Sequence, residues 1–287
     1  MDPIRVVELF AGIGAQHQAL KQAQIPHEVV AISEIDDGTA RAYEAIHGPV
    51  NNLGDITKVE HLPDCDLLTY SFPCQDLSVA GKRKGMAKGS GTRSGLLWEV
   101  ERLLTDMRER ESLPNALLME NVDAILFDAN IRDFKKWIAR LSELGYTSSY
   151  KVLDAADYGV PQRRKRCFMV SLLDGRFFTF PKWIPLEKRL KDVLEDDVDE
   201  SYYLTDEQIA SYVAHDQKQR ERGNGFTIRV ARPDDMCPTL TTNLYKSGPF
   251  LIVSGKIENL RYEKSQRVYS TLGIAPTLTT KEGGMSR

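Results

Sequence analysis

Three apolar runs in this sequence each deliver a side chain capable of chemistry at their carboxyl end. Leu67 to Phe72 breaks at Pro73 and presents Cys74, the run ending at Met119 leads into Glu120, and Val29 to Ser33 leads into Glu34. A thiol so placed is a candidate nucleophile, because cysteine carries appreciable thiolate near neutral pH. A carboxyl is a candidate proton donor or acceptor. Gln162-Arg163-Arg164-Lys165-Arg166 adds a run of four cations jammed between a turn and the apolar run Cys167 to Leu172. Side chains alternate along a strand, so Arg164 and Arg166 point one way and Arg163 and Lys165 the other, and one pair meets an anion at the sheet edge. Bland readings stand beside these. Free cysteines are mostly small buried thiols, Glu34 alone is equally a solvated loop carboxylate, and a cation run is most often a solvated face.

The elements that must position these groups read as alternating strands and helices. Ile4 to Phe10 is a buried strand, followed by Ala11-Gly12-Ile13-Gly14-Ala15 and a helical pattern through Leu20. A glycine turn before a helix lets backbone amides approach a ligand, although Gly-x-Gly alone is as compatible with a tight structural turn. Glu34 ends the second strand, twenty residues beyond Gly14, where nucleotide-binding α/β folds hold ribose hydroxyls. Asp55, in Gly54-Asp55-Ile56, either accepts from an adenine amino group or caps the next turn. Pro73 cannot continue a sheet ladder, so the chain turns there, at the carboxyl edge where open α/β sheets build their sites.

Between Val79 and Leu97 lies a long glycine-studded connection with five cations and no acid. A loop of that length without periodicity is a lid or binding loop, and its charge suits a phosphate backbone. Leu96, Leu97, Val100, Leu103, Leu104 and Met107 recur at helical spacing, as do Ile131, Phe134, Ile138, Leu141 and Leu144, with Gly145 as a stop. Trp137 reads as packing. Ser148 to Leu153 is a further strand.

Composition narrows the field. A chain of 287 residues holds one large α/β domain and a smaller one. No apolar run approaches the ~20 residues of a membrane span, and the N-terminus lacks a signal-peptide layout. Cys65, Cys74, Cys167 and Cys237 form no Cys-x-x-Cys pair, which argues against a metal knuckle or a disulfide framework and for a reducing cytoplasm. The net charge of −3 means that a nucleic-acid partner would be held by a local basic patch.

Phe10-Ala11-Gly12-Ile13-Gly14, Glu34, Gly54-Asp55-Ile56, Phe72-Pro73-Cys74-Gln75, Glu120-Asn121-Val122 and Gln162-x-Arg164-x-Arg166 stand in the order and spacing of the DNA (cytosine-5) methyltransferases. The sequence resembles that family block after block from Val6 to Ser171. The resemblance implies an α/β fold, a mixed and mainly parallel sheet flanked by helices that binds S-adenosylmethionine, with a smaller, partial target-recognition domain. The boundaries expected are 1–190 for catalysis and 191–287 for recognition. It further implies that Phe10, Gly12 and Gly14 line the methionine side of the cofactor, Glu34 holds the ribose, Asp55 meets the adenine, and Pro73 and Leu96 complete the pocket.

The same resemblance assigns the chemistry. Cys74 adds to carbon 6 of a cytosine flipped out of double-stranded DNA, Glu120 in its protonated form bonds the base at N3 and the exocyclic amine, and Arg164 with Arg166 orients base and carboxylate. The lid from Gln75 to Arg93 closes over the base. No metal or membrane is implied, and the setting is the cytoplasm of a bacterium or a phage-infected cell.

The family normally continues into an Arg-Glu-Cys block and a Gly-Asn block, which this sequence lacks before Arg287. A truncated open reading frame, a C-terminal complementing polypeptide, an inactive or split half-enzyme, and an RNA cytosine-5 methyltransferase are the alternatives, with the recognition-domain signals after Ser201 favouring DNA. Pro-Thr-Leu-Thr-Thr occurs at both Pro238–Thr242 and Pro276–Thr280, as two similar strands or as a phosphate contact.

Overall fold

The structure, a computed structural model, describes residues 2–74, 77, 86, 92–173, 175–194, 205–223, 229–231, 233–237, 239 and 250–252. Most of the lid, Gln75 to Arg93, lies outside the described residues, as do both Pro-Thr-Leu-Thr-Thr segments except Thr239. The described chain forms two units, one running to Leu153 and resuming over Lys165–Lys182, the other formed by Asp154–Arg164 and the described residues from Trp183 onward.

In the first unit the strands are β1 (Ile4–Leu9), β2 (His27–Ser33), β3 (Leu67–Tyr70), β4 (Ala116–Val122), β5 (Thr147–Asp154) and β6 (Lys165–Leu172), in sheet order β2-β1-β3-β4-β6-β5. β2, β1, β3 and β4 are parallel, and β6 is antiparallel to β4. The expected mixed, mainly parallel sheet is therefore present. Val6, Val7, Glu8 and Leu9 of β1 are all buried, the near-continuous burial of a strand covered on both faces.

The covering helices are α1 (Ala15–Gln22), α2 (Asp37–His47), α3 (Leu97–Glu109) and α4 (Ile131–Glu143). α3 buries Leu97, Val100, Leu103, Leu104 and Met107, and α4 buries Phe134, Trp137 and Leu141, in one cluster with Leu9, Leu68, Tyr70, Leu117 and Met119. A second cluster gathers Ala11, Ile32 and Tyr43 under α2. Trp137 is a core side chain whose Nε1 donates to the Tyr70 hydroxyl at 3.1 Å.

Register sets the site. Leu9 is level with Ser33 and with Tyr70, and Tyr70 with Met119. Phe10, Glu34, Ser71 and Glu120 are thus the next residues on four adjacent parallel strands, at one edge. β6 enters the sheet at that edge, with Arg166 opposite Val122.

The second unit contains α5 (Asp206–Glu221) and a parallel pair, β7 (Arg229–Ala231) with β8 (Phe250–Ile252). Arg163 N–H donates to the Cys237 carbonyl at 2.8 Å, and Cys237 N–H to that of Pro161 at 2.8 Å. Among the described residues no helix is long and apolar enough to cross a membrane.

Candidate active site

The glycine turn leaves β1 through unusual backbone. Phe10, Gly12 and Gly14 have φ of 56°, 60° and 81°, the left-handed region that a bulky residue such as Phe10 enters only when its surroundings impose it. Phe10 has left the ladder, so the strand ends one residue before the sequence pattern suggests. The two glycines differ in what surrounds them. A side chain at Gly14 would run into Tyr43 and His47 of α2, whereas one at Gly12 would meet nothing within 4 Å. Gly14 is explained by helix packing, and the space beside Gly12 is open.

Glu34 closes onto this turn. Its Oε2 accepts from Gly12 N–H at 2.9 Å and its Oε1 from Asp36 N–H at 2.9 Å. Asn52, which sequence reasoning passed over, ties that corner to the Asp55 turn: its Oδ1 accepts from Glu34 N–H at 3.1 Å and from Gly54 N–H at 3.0 Å, while its Nδ2 donates to the Glu34 carbonyl at 3.0 Å. Ser33 Oγ donates to the Gly54 carbonyl at 2.7 Å. Asp55 caps the short 3-10 turn Ile56–Lys58, accepting from Thr57 N–H at 3.0 Å and Thr57 Oγ1 at 2.8 Å. These two bonds hold its carboxyl below the usual range. The capping alternative is realised, and the carboxylate keeps further acceptor positions.

α1 starts at Gly14, which has no side chain to cap it. The cap comes from β1: Glu8 Oε1 accepts from His17 N–H at 2.9 Å, and Glu8 Oε2 from the Tyr43 hydroxyl at 2.6 Å. Burial pushes the Glu8 carboxyl up to about 6 against the opposing pull of those bonds. His17 Nδ1 lies 2.9 Å from the Tyr43 oxygen, and its ring is held down to about 4 by burial, then by the charges of His47, Lys21 and His27. His47 Nε2 lies 3.0 Å from the Ile13 carbonyl, inside the glycine turn. An acid inside the apolar stretch Val6 to Leu9 is the visible signal for this network, since a buried carboxylate demands partners.

At the nucleophile turn, Cys74 stands apart from the other three cysteines. Cys65, Cys167 and Cys237 are buried, and Cys74 is partly accessible. Burial raises the Cys65 and Cys167 thiols to about 12 and Cys237 to about 11, which removes them as nucleophiles near neutral pH. The backbone before Cys74 is held from outside. Asn121 Nδ2 donates to the Phe72 carbonyl at 3.0 Å and Ser94 Oγ to the Pro73 carbonyl at 2.7 Å. In the sequence Asn121 stands out only as a member of the Glu120-Asn121-Val122 block, and Ser94 not at all.

Beside this turn, Glu120 Oε1 pairs with Arg166 Nε at 3.0 Å, each side chain a quarter exposed or less. Arg164 belongs to the second unit, because β6 begins only at Lys165. Its N–H donates to Asp154 Oδ1 at 2.9 Å and its carbonyl accepts from Ala155 N–H at 3.1 Å. The alternation is visible in accessibility, with Arg163 and Lys165 exposed and Arg164 and Arg166 half-buried. Leu96 ends the 3-10 turn Arg93–Leu96 and packs on the main core. A depression of 460 Å³ in the second unit, lined by Arg163, Trp183, Ile184, Arg189 and Asp234 among others, contains none of the candidate residues. Among the described residues there is no group of three or more His, Cys, Asp or Glu side chains that could hold a metal ion.

The first unit thus brings to one sheet edge an open glycine turn, two acids joined through Asn52, an accessible thiol and a carboxylate–guanidinium pair. Residues 4–282 match the family model of C-5 cytosine-specific DNA methylases. The chain is 35% identical over 263 residues to a type II methyltransferase, M2.ScrFI, of Lactococcus lactis subsp. cremoris, covering 72% of each protein. It is 33% identical over 261 residues to the type II methyltransferase M.NlaX of Neisseria lactamica, covering 90% of this chain and 81% of that one. In fold it is similar to the S. pombe Dnmt2 methyltransferase, with a TM-score of 0.65, 22% identity and coverage of 89% and 77%. These comparisons lend no support to a complementing polypeptide.

Proposed function

The chain belongs to the C-5 cytosine-specific DNA methylase family, and on that footing we propose how it methylates carbon 5 of cytosine in DNA. Cys74 is the nucleophile. A duplex buries the edge it must attack, so the target cytosine is flipped out of the stack. The Cys74 thiolate adds to carbon 6, the ring electrons move towards N3, and Glu120 donates the proton that N3 takes up. Arg166, paired with Glu120 at 3.0 Å, orients that carboxyl towards the base, and Arg164 with Arg166 orients the base. S-adenosylmethionine, when bound, supplies the electrophilic methyl group. Carbon 5 takes the methyl, a base then removes the hydrogen on carbon 5, the carbon 6–sulfur bond breaks to release the Cys74 thiolate, and N3 returns its proton to Glu120.

The residues fit this cofactor. The space beside Gly12 is open, so a chain can lie against the backbone there, in the turn that runs from Phe10 to Gly14. Glu34 already accepts one bond at each oxygen and retains acceptor capacity for two ribose hydroxyls. Asp55, joined to Glu34 through Asn52, meets the adenine, with Leu96 and Pro73 as apolar walls. Residues 191–287 supply target recognition, and the setting is the cytoplasm of a bacterium or a phage-infected cell.

One observation carries the reading: Asn121, next to Glu120, holds the Phe72 carbonyl two residues before Cys74, so acid and nucleophile share one rigid edge. The test is transfer of tritiated methyl from S-adenosylmethionine to duplex DNA. Cys74→Ser should abolish transfer and leave cofactor binding intact. Turnover retained in that variant would refute the nucleophile.

A further inference from the structure

The four residues that lead into and form the nucleophile turn are anchored by different parts of the molecule. Ser71 N–H reaches the Leu9 carbonyl at a long 3.4 Å. Ser71 Oγ accepts from Gln16 Nε2 at 2.8 Å. The Phe72 carbonyl accepts from Asn121, as described, and the Pro73 carbonyl from Ser94 Oγ at 2.7 Å. The Cys74 carbonyl accepts from Leu77 N–H at 3.0 Å. Pro73 has no N–H of its own, so its peptide is oriented through its carbonyl and through its neighbours.

The origin of two of these anchors is informative. Gln16 stands in the first turn of α1, two residues beyond Gly14, on the helix that the glycine turn opens. Ser94 stands in the 3-10 turn Arg93–Leu96 and is completely buried. The helix that the glycine turn opens and the turn that ends at Leu96 therefore each send one side-chain hydrogen bond to the three residues before Cys74. Asn121, by contrast, comes from the strand that carries Glu120.

Building on the function proposed above, we propose that Gln16 and Ser94 are positioning residues that couple occupancy of the cofactor site to the attack geometry of Cys74. A ligand ordering the glycine turn fixes the start of α1, and with it Gln16 and Ser71. A ligand packed on Leu96 fixes the Arg93–Leu96 turn, and with it Ser94 and the Pro73 carbonyl. Two points of the turn are then held from the cofactor side, and the Cys74 side chain follows the backbone that carries it. Linkage makes the equilibrium part of the effect reciprocal: by the factor to which an occupied cofactor site favours the Cys74 adduct at equilibrium, the adduct strengthens cofactor binding. A merely structural role predicts something else, namely that losing either bond weakens attack equally whether or not the cofactor site is filled.

The experiment uses the whole chain and a reaction that needs no methyl transfer. The target sequence is first read by bisulfite sequencing of plasmid methylated by the wild type. A duplex is then made with 2-pyrimidinone in place of the target cytosine. That base lacks the exocyclic amine and accepts a thiolate at carbon 6 without a methyl donor. Adduct formation is followed on denaturing gels with and without S-adenosylhomocysteine, whose affinity for each protein is measured separately by calorimetry. The wild type should form adduct faster with S-adenosylhomocysteine. In Ser94→Ala and Gln16→Met the unassisted rate and the affinity measured without DNA should stay within about threefold, while the acceleration falls about tenfold, as expected for one lost, partly buried hydrogen bond. Ser94→Thr, which keeps the hydroxyl, should restore it.

Equal loss of the assisted and unassisted rates would overturn the proposal in favour of a structural role, and so would wild-type behaviour in both variants. Gln16→Met, at a partly exposed position, keeps the test open if Ser94→Ala is poorly folded. A wild type that forms adduct without acceleration by S-adenosylhomocysteine overturns the coupling alone. A wild type with no methylation and no adduct overturns the function on which the coupling rests.

Discussion

Asn52 grips Glu34 by both ends of its backbone, accepting from its N–H at 3.1 Å and donating to its carbonyl at 3.0 Å. The same Oδ1 accepts from Gly54 N–H at 3.0 Å, so one amide sets the distance between the acid assigned to the ribose and the turn that carries Asp55. Asn52→Ala removes three hydrogen bonds at an exposed corner, each contributing roughly 0.5–1.5 kcal/mol. The loss should fall on cofactor affinity, because the corner frees its own backbone only where the ligand sits. We expect S-adenosylmethionine binding to weaken about tenfold, with kcat at saturating cofactor nearly unchanged. Calorimetry with steady-state kinetics checks this, and an unchanged affinity would mean that the corner does not carry the ribose.

The two glycines of the turn should respond differently to alanine. Both have positive φ, so each substitution carries a backbone cost of about 1 kcal/mol. At Gly14 the added carbon also strikes Tyr43 and His47, whereas at Gly12 it enters open space. Gly14→Ala should therefore lower the melting temperature the more. Gly12→Ala should lose no more stability than that backbone cost and should lose cofactor affinity, because the space it fills is the space assigned to the ligand. Thermal melts paired with calorimetry on both variants separate the two effects, and a Gly12→Ala protein that binds cofactor normally would remove Gly12 from the site.

The pattern of apolar runs made the sheet edge readable because parallel strands, buried on both faces, end abruptly at their carboxyl ends. Cys74, Glu120, Glu34 and Gly12 each follow such an end. What the runs could not convey was how those ends are joined. Asn52, Ser94 and Gln16 act through side-chain bonds to backbone or side chains far away in sequence, and no local period marks such partners. Arg164 shows the complementary limit. Strand alternation extended back through the cation run predicts its direction, but Asp154 and Cys237 take up the backbone of Arg163 and Arg164, so β6 begins only at Lys165. Glu8 was visible as an acid inside an apolar stretch, yet its role as the cap of α1 needed the third dimension.

Glu8 and His17 give stability a pH dependence whose sign follows from their opposite shifts. Burial raises the Glu8 carboxyl from 4.5 to about 6. Its contribution is thus fully present below pH 4.5 and lost as pH rises through 6. His17 is lowered from 6.5 to about 4, so its contribution is full above 6.5 and lost as pH falls towards 4. Between pH 6.5 and 4.5 the two oppose each other on acidification. Glu8→Gln keeps the acceptor for His17 N–H, and its amide can donate to the Tyr43 oxygen, while the proton uptake that offsets His17 disappears. The variant should therefore lose stability more steeply than the wild type over that interval, by a difference approaching about 2 kcal/mol. Melting curves at half-unit pH steps test this, and parallel profiles for the two proteins would sink it.

Arg166 and Glu120 supply the last prediction, which concerns rate rather than stability. Both lie at the edge, each a quarter exposed or less, with Nε and Oε1 3.0 Å apart. A pair this shielded is no exposed surface bridge, and removing one partner leaves the other charge uncompensated, so Arg166→Gln should melt below the wild type and its rate is read well under that melting temperature. Its effect should appear where Glu120 meets the base. Without the guanidinium the carboxyl loses the partner that fixes its orientation, and the proton is delivered to N3 from a less favourable geometry, at a cost of about 10²-fold in kcat. S-adenosylmethionine affinity should stay at the wild-type value, because the cofactor residues lie on other strands. Arg166→Lys keeps the charge but replaces the planar guanidinium with a single ammonium, and should recover only part of the rate. If Arg166→Lys and Arg166→Gln were equally and fully active, the pair would be a structural ion pair with no part in methyl transfer.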